Sequence, residues 1–203
     1  MDRVATYLGA TTPEVTRRPY NAARRRGIAT IVVMKPGVRK FALATHLAFS
    51  VGWIGAVVAY LALGVAAVTS PAVQTVRAAW IAMELIGWYV IVPLALASLL
   101  TGLIVAFGTK WGLFRHYWVL FSFALTIFAT VVLFLHMPTV SVTADVAQEA
   151  QGAALEGLGG DLLHPGIGLV VLLVIQTLNV YKPQGMTRYG WRRQQQQRMA
   201  RVP

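Results

Sequence analysis

Four apolar blocks, Phe41 to Val68, Ala78 to Phe107, Tyr117 to Met137 and Leu162 to Tyr181, constrain this chain more than any other feature. A bilayer core about 30 Å thick is crossed by roughly 20 apolar residues in a helix. The first, third and fourth blocks contain no Lys, Arg, Asp or Glu, and the second contains only Glu84. Lipid supplies no hydrogen-bond partner to the backbone, so each block must satisfy its own peptide groups as a helix. The predicted fold is all-α, an integral membrane four-helix transmembrane bundle. Composition agrees: 57% of the 203 residues are apolar and 12% charged. A soluble domain is about 45 to 50% apolar and about a quarter charged, and a disordered chain is poorer still in apolar residues. Both classes are excluded. With no cysteine in the chain, disulfides, iron-sulfur clusters, thiolate metal sites and cysteine nucleophiles are excluded as well.

The net charge is +11, and its placement assigns a partner. Nine of the 18 Lys and Arg fall in residues 1–40, two lie between Gly108 and His116, six follow Tyr181, and Arg77 stands apart. Placing both termini in the cytoplasm puts 17 of the 18 on the inner side, as the positive-inside rule requires. The outer side then receives a short link and the 138–161 loop, which carries Asp145, Glu149, Glu156 and Asp161 and no basic residue. The organisation read from sequence is a basic N-terminal arm, 1–40; a four-span domain, 41–181; and a basic tail, 182–203. The location expected is the plasma membrane, crossed four times. Arg24, Arg25 and Arg26 in the arm suit anionic lipid, at about 1 kcal/mol per basic residue near the surface. No fold or aromatic stacking set for nucleic acid accompanies them.

Ionisable groups inside a bilayer are costly and mark functional sites by default. Here they are His46, Glu84, His136 and His164, with His116 at an interface and Gln176 and Asn179 as neutral companions. At about 100° per residue, His46, Ser50, Trp53, Val57, Tyr60 and Gly64 share one face of the first span, a small and polar stripe of the kind that packs helices together. Glu84, Trp88, Ile91, Ala95, Ser98 and Gly102 form a comparable stripe in the second, where Pro93 predicts a kink. In the third span His116 and His136 are about 200° apart, so only one can face the bundle, and His136 has the smaller, more polar neighbours.

Depth along the helices then groups His136, His164, Glu84 and Met137 toward the outer end. His46 lies near the inner end, level with Gln176 and Asn179. The outer set is a candidate metal site, because two imidazoles can ligate haem iron and imidazole with thioether suits copper. The plainer reading makes these histidines ordinary residues at helix ends, pairs Glu84 with Arg77, and gives His46 a hydrogen bond to Gln176 or Asn179. No hydrolase elbow or phosphate loop appears.

The run from His46 to Gly55, a histidine followed by Trp53 and Gly55, resembles the first span of small bacterial membrane proteins of the copper-resistance D group and of the membrane-bound haem-dependent protoporphyrinogen oxidases. Trp111 to Arg115 and Tyr181 to Thr187 are similar to actinobacterial members of that grouping. The resemblance implies haem binding at His46, as in the oxidases, or copper handling at His136 and His164 with Met137, as in the copper group. No span carries the intramembrane lysine that the oxidases also use. The expected function is binding of a b-type haem or a copper ion through inward histidines, for redox or metal handling. The alternatives are an accessory subunit docked on other membrane subunits, with structural histidines, and a proton-coupled transporter.

Overall fold

The computed structural model describes residues 34–108, 112–149 and 158–199. Arg24 to Arg26 of the basic arm, Lys110, Trp111, Glu156 and the far end of the tail lie outside the described residues. The described residues contain no strand beyond one isolated bridge, and the predicted all-α bundle is what forms. Helix α1 runs Pro36–Thr69. Helix α2 (Val73–Ile86) passes through a π-helical turn, Gly87–Ile91, directly into α3 (Val92–Gly108). Helix α4 is Tyr117–Glu149, α5 is Leu163–Tyr181, and α6 is Arg188–Met199. Four of these rods are long and apolar enough to cross a membrane: α1, α2 joined to α3, α4, and α5. Around the bundle α1 and α4 stand on one diagonal, each packing against both the α2–α3 rod and α5.

The helix ends follow from local chemistry. Pro36 occupies the first turn of α1, where its missing N–H has no partner to lose, so the span starts five residues before Phe41. Lys182 closes α5 in the left-handed conformation and donates its N–H to the Leu178 carbonyl, with Pro183 next. At the same end the two stretches quoted for the family resemblance pack on each other. His116 and Met186 form an antiparallel bridge, and the Thr187 N–H donates to the Arg115 carbonyl. Thr187 Oγ1 accepts from the Gly190 N–H and so caps α6. Part of the basic tail is therefore an ordered helix.

Two departures from the sequence reading set up the site. Pro93, where the sequence predicts a kink, falls in the first turn of α3. The π turn lies just before it, with the Val92 N–H reaching five residues back to the Gly87 carbonyl. Such a turn takes up about one extra residue, roughly 100° of rotation. The inward face ahead of it consequently consists of Val76, Ala79, Met83 and Gly87, all buried, while Glu84 is half-buried and Trp88 reaches the exterior. The Trp88 indole donates to Ser141 Oγ at 2.9 Å, tying the turn to α4. The second departure is α4, which continues past Met137 and through Pro138 to Glu149, where the sequence suggests a loop. Val140, Ala144 and Ala147 recur at helical spacing, are almost fully buried, and form an inward face that holds the extra turns in place.

The core runs along Trp53, Val57, Tyr60, Trp80, Met83, Ile91, Met137 and Leu172. Outside it the bundle presents Leu47, Val51, Val58, Leu100, Phe121, Phe128, Leu135 and Val170, all exposed. Large apolar side chains facing outward on every rod require a lipid environment.

Candidate metal centre at the histidine end of the bundle

His136 on α4, His164 in the first turn of α5, and Asp161 just ahead of α5 converge. Their candidate ligand atoms all lie within 4.8 Å of one another. His136 Nε2 donates to Asp161 Oδ2 at 2.6 Å, and His164 Nδ1 stands 3.7 Å from Oδ1. The two imidazoles stack, with centroids 4.0 Å apart and planes 18° from parallel. The Tyr60 hydroxyl donates to Asp161 Oδ2 at 3.0 Å, anchoring the carboxylate from α1. The side chains of Asp161 and His136 are 9% and 17% exposed, against 52% for His164, so the cluster opens on the His164 side. Beside it lies a cavity of about 190 Å³, lined by Trp53, Tyr60, Met137 and Leu172 among others.

Glycine brings Asp161 into the bundle. The segment before α5 crosses α1 at Gly64, where a Cβ would meet the Asp161 carbonyl oxygen at 2.7 Å; at Gly160 a Cβ would run into the Gly64 carbonyl oxygen. Only a glycine at each position allows backbone to lie this close to backbone. Gly159 adopts φ +56, a conformation that L side chains rarely take, and its carbonyl accepts from the Trp80 indole at 3.2 Å. The crossing carries Asp161 inward from a stretch that the sequence marks only as an acidic loop.

Burial pushes the Asp161 carboxyl upward. Hydrogen bonds from His136 and Tyr60, with the positive charges that His136 and His164 can carry, outweigh burial and hold it below the usual carboxylate range.

The sequence-derived candidates separate into two places. His136 and His164 come together, and Met137 is fully buried beside them, its sulfur and methyl filling the space a Cβ on Gly87 would need. Glu84 lies outside the three-residue cluster, rotated away by the π turn. Arg77 donates from Nε to the Ala147 carbonyl at 2.9 Å. The carboxylate of the cluster is Asp161, which sequence reasoning passed over. The signal available was the Gly159-Gly160-Asp161 run, with His164 three residues on. His46 is remote from the cluster in the other half of the bundle. Its partner is Thr101 of α3 rather than Gln176 or Asn179: Nδ1 and Oγ1 are 3.1 Å apart. The Thr101 hydroxyl donates to the Ala97 carbonyl at 2.6 Å, so the histidine N–H is the donor in the first bond. Gln176, Asn179 and Trp53 line the cavity that His46 also borders.

Compared with protein-family models, with curated proteins and with solved structures, the chain matches none.

Proposed function

We propose that this multi-pass membrane protein holds one transition-metal ion, copper(II) or zinc(II), through His136, His164 and Asp161, for metal handling at the outer face of the plasma membrane. The observation that carries this reading is the convergence of two imidazoles and a carboxylate from two stretches of chain far apart in sequence, with donor atoms no more than 4.8 Å apart. Donors about 2.0 to 2.1 Å from one ion stand roughly 3.3 Å apart in a tetrahedron. Contraction to that spacing falls to the His164 ring, the least enclosed of the three side chains. Two imidazoles with one carboxylate suit both ions. Stacked rings approach an ion from adjacent directions, which favours a bare ion over two ligands on opposite faces of a flat macrocycle. The orientation rests on the distribution of basic residues, which places the histidine end outside.

In this reading the metal-free cluster is held by a proton. His136 Nε2–H donates to Asp161, and metal entry displaces that proton while Asp161 turns from acceptor to ligand. Tyr60 donates to Asp161 throughout and fixes the carboxylate, as an outer partner does for a ligating group. Binding therefore releases protons and weakens as pH falls.

The test is a titration of purified full-length protein in detergent with copper(II) or zinc(II), read by elemental analysis and, for copper, by electron paramagnetic resonance. One ion per chain with two nitrogen ligands is expected, and affinity should fall by more than about 100-fold in Asp161→Asn and in His164→Ala, since loss of an outer partner alone costs about 10- to 100-fold. A chain that takes up no metal, or one whose uptake both substitutions leave unchanged, overturns the assignment.

A further inference from the structure

The basic end of the bundle encloses a second, larger cavity of about 580 Å³ between α1, α3, α4 and α5. Its lining changes in order with depth. Arg39 and Lys40 at the start of α1 and Lys182 at the end of α5 border the mouth, with no carboxylate among the described residues that line it. Six residues farther along each helix, about 9 Å, come His46 on α1 and Gln176 on α5, with Asn179 between Gln176 and the mouth. Ser50 and Ser98 follow, their hydroxyls 2.9 Å apart. Ser122 lines the cavity from α4; it is 6% exposed, and its hydroxyl has no partner among the described residues. Trp53 and Leu172 form the far end.

Cations at the rim, hydrogen-bonding side chains beneath them and an apolar floor reproduce the order of groups along a phospholipid: anionic phosphate, ester oxygens, hydrocarbon. Basic pockets between membrane helices capture anionic head groups. A buried hydroxyl without a partner also signals a ligand that would supply one. We propose that this cavity binds one anionic phospholipid, its phosphate between Arg39, Lys40 and Lys182, its ester oxygens accepting from Gln176, Asn179 and Ser122, and its chain against Trp53. The site is separate from the metal cluster and does not depend on it.

Native mass spectrometry of the full chain in detergent, after incubation with phosphatidylglycerol or phosphatidylcholine, tests this directly. One phosphatidylglycerol should remain bound per chain, with phosphatidylcholine retained about tenfold less. The double substitution Lys40→Gln with Lys182→Gln should abolish that preference, and Arg39→Gln should weaken it, giving a second reading should the double variant fail to elute as a single species. Ser122→Leu, which fills the cavity without touching charge, should lower retention of both lipids. Three results would overturn the proposal: equal retention of the two lipids, displacement of the lipid by excess inorganic phosphate, or a haem absorption band that disappears in His46→Ala.

Discussion

Replacing Gly64 by alanine places a methyl group 2.7 Å from the Asp161 carbonyl oxygen and 3.0 Å from Leu162 Cδ2, inside the 3.4 Å at which ordinary contact begins. The segment ahead of α5 must then withdraw by about 0.7 Å, since α1 is a continuous helix and cannot yield locally. Carried through to the side chain, that displacement lengthens the 2.6 Å bond from His136 to about 3.3 Å and the 3.0 Å bond from Tyr60 to about 3.7 Å. The second lies beyond hydrogen-bonding distance. Loss of an outer partner that fixes a ligating group costs about 10- to 100-fold in metal affinity, and a loss of that size is expected. Gly55→Ala is the control, because a Cβ there meets nothing within 4 Å. Competition of zinc(II) against a chelator of known affinity, on both variants in the same detergent, reads the effect, and elution profile and melting midpoint show whether each is folded. Wild-type affinity in a folded Gly64→Ala protein would refute the claim that this backbone crossing positions the carboxylate.

Four other substitutions probe the same framework. Asp161 is held below the usual carboxylate range, so the stability it contributes is present above that range and is lost as pH falls through its lowered value; melting followed from neutral pH into acid should show a decline that Asp161→Asn flattens. Gly87→Ala drives a methyl to 2.5 Å from the Met137 terminal carbon and should cost about 1 to 3 kcal/mol as overpacking. Paired with Met137→Ala, its cost in chemical denaturation should be less than the sum of the two single changes, because the added methyl occupies the emptied space. Trp80→Phe removes the indole bond to the Gly159 carbonyl; a loss of about 1 kcal/mol with faster proteolysis ahead of α5 is expected, and unchanged cleavage would show that the segment is held by other contacts.

The four spans are legible in sequence because the bilayer imposes a length and a purity that few other environments demand. Their outer surfaces bear this out: Leu47, Phe121 and Val170 are each more than half exposed. The α1 stripe is legible for a related reason, since an unbroken helix keeps its angular order from His46 to Gly64. The second span illustrates what angular arithmetic lacks. A single π turn moves Glu84 off the inward face and brings Met83 onto it, and nothing in the run Gly87-Trp88-Tyr89-Val90-Ile91 announces i to i+5 bonding. Asp161 is hidden differently. Its position depends on backbone lying against backbone at Gly64 and Gly160, 96 residues apart in sequence, and no local pattern encodes a crossing of that kind. Pro138 reads as an end of helix, yet burial of Val140, Ala144 and Ala147 offsets the one hydrogen bond it removes.

The α1 stripe also joins the two halves of the molecule. His46 and Ser50 face the cavity at the basic end, Tyr60 and Gly64 hold the cluster at the histidine end, and Trp53 lines both cavities. At 4% exposure Trp53 closes the space between them, with Leu172 of α5 completing the partition. Polar side chains in hydrocarbon are tolerated when each half supplies its own partners: Thr101 for His46, Ser98 for Ser50, Asp161 for Tyr60 and His136. None of these bonds crosses the level of Trp53. The two sites should therefore behave independently, with Thr101→Val leaving metal affinity untouched and Asp161→Asn leaving lipid retention untouched. Trp53→Ala, which removes the partition and merges the cavities, should disturb both readouts at once. Coupling between the ends in the protein with Trp53 intact would mean that their separation is not what the geometry implies.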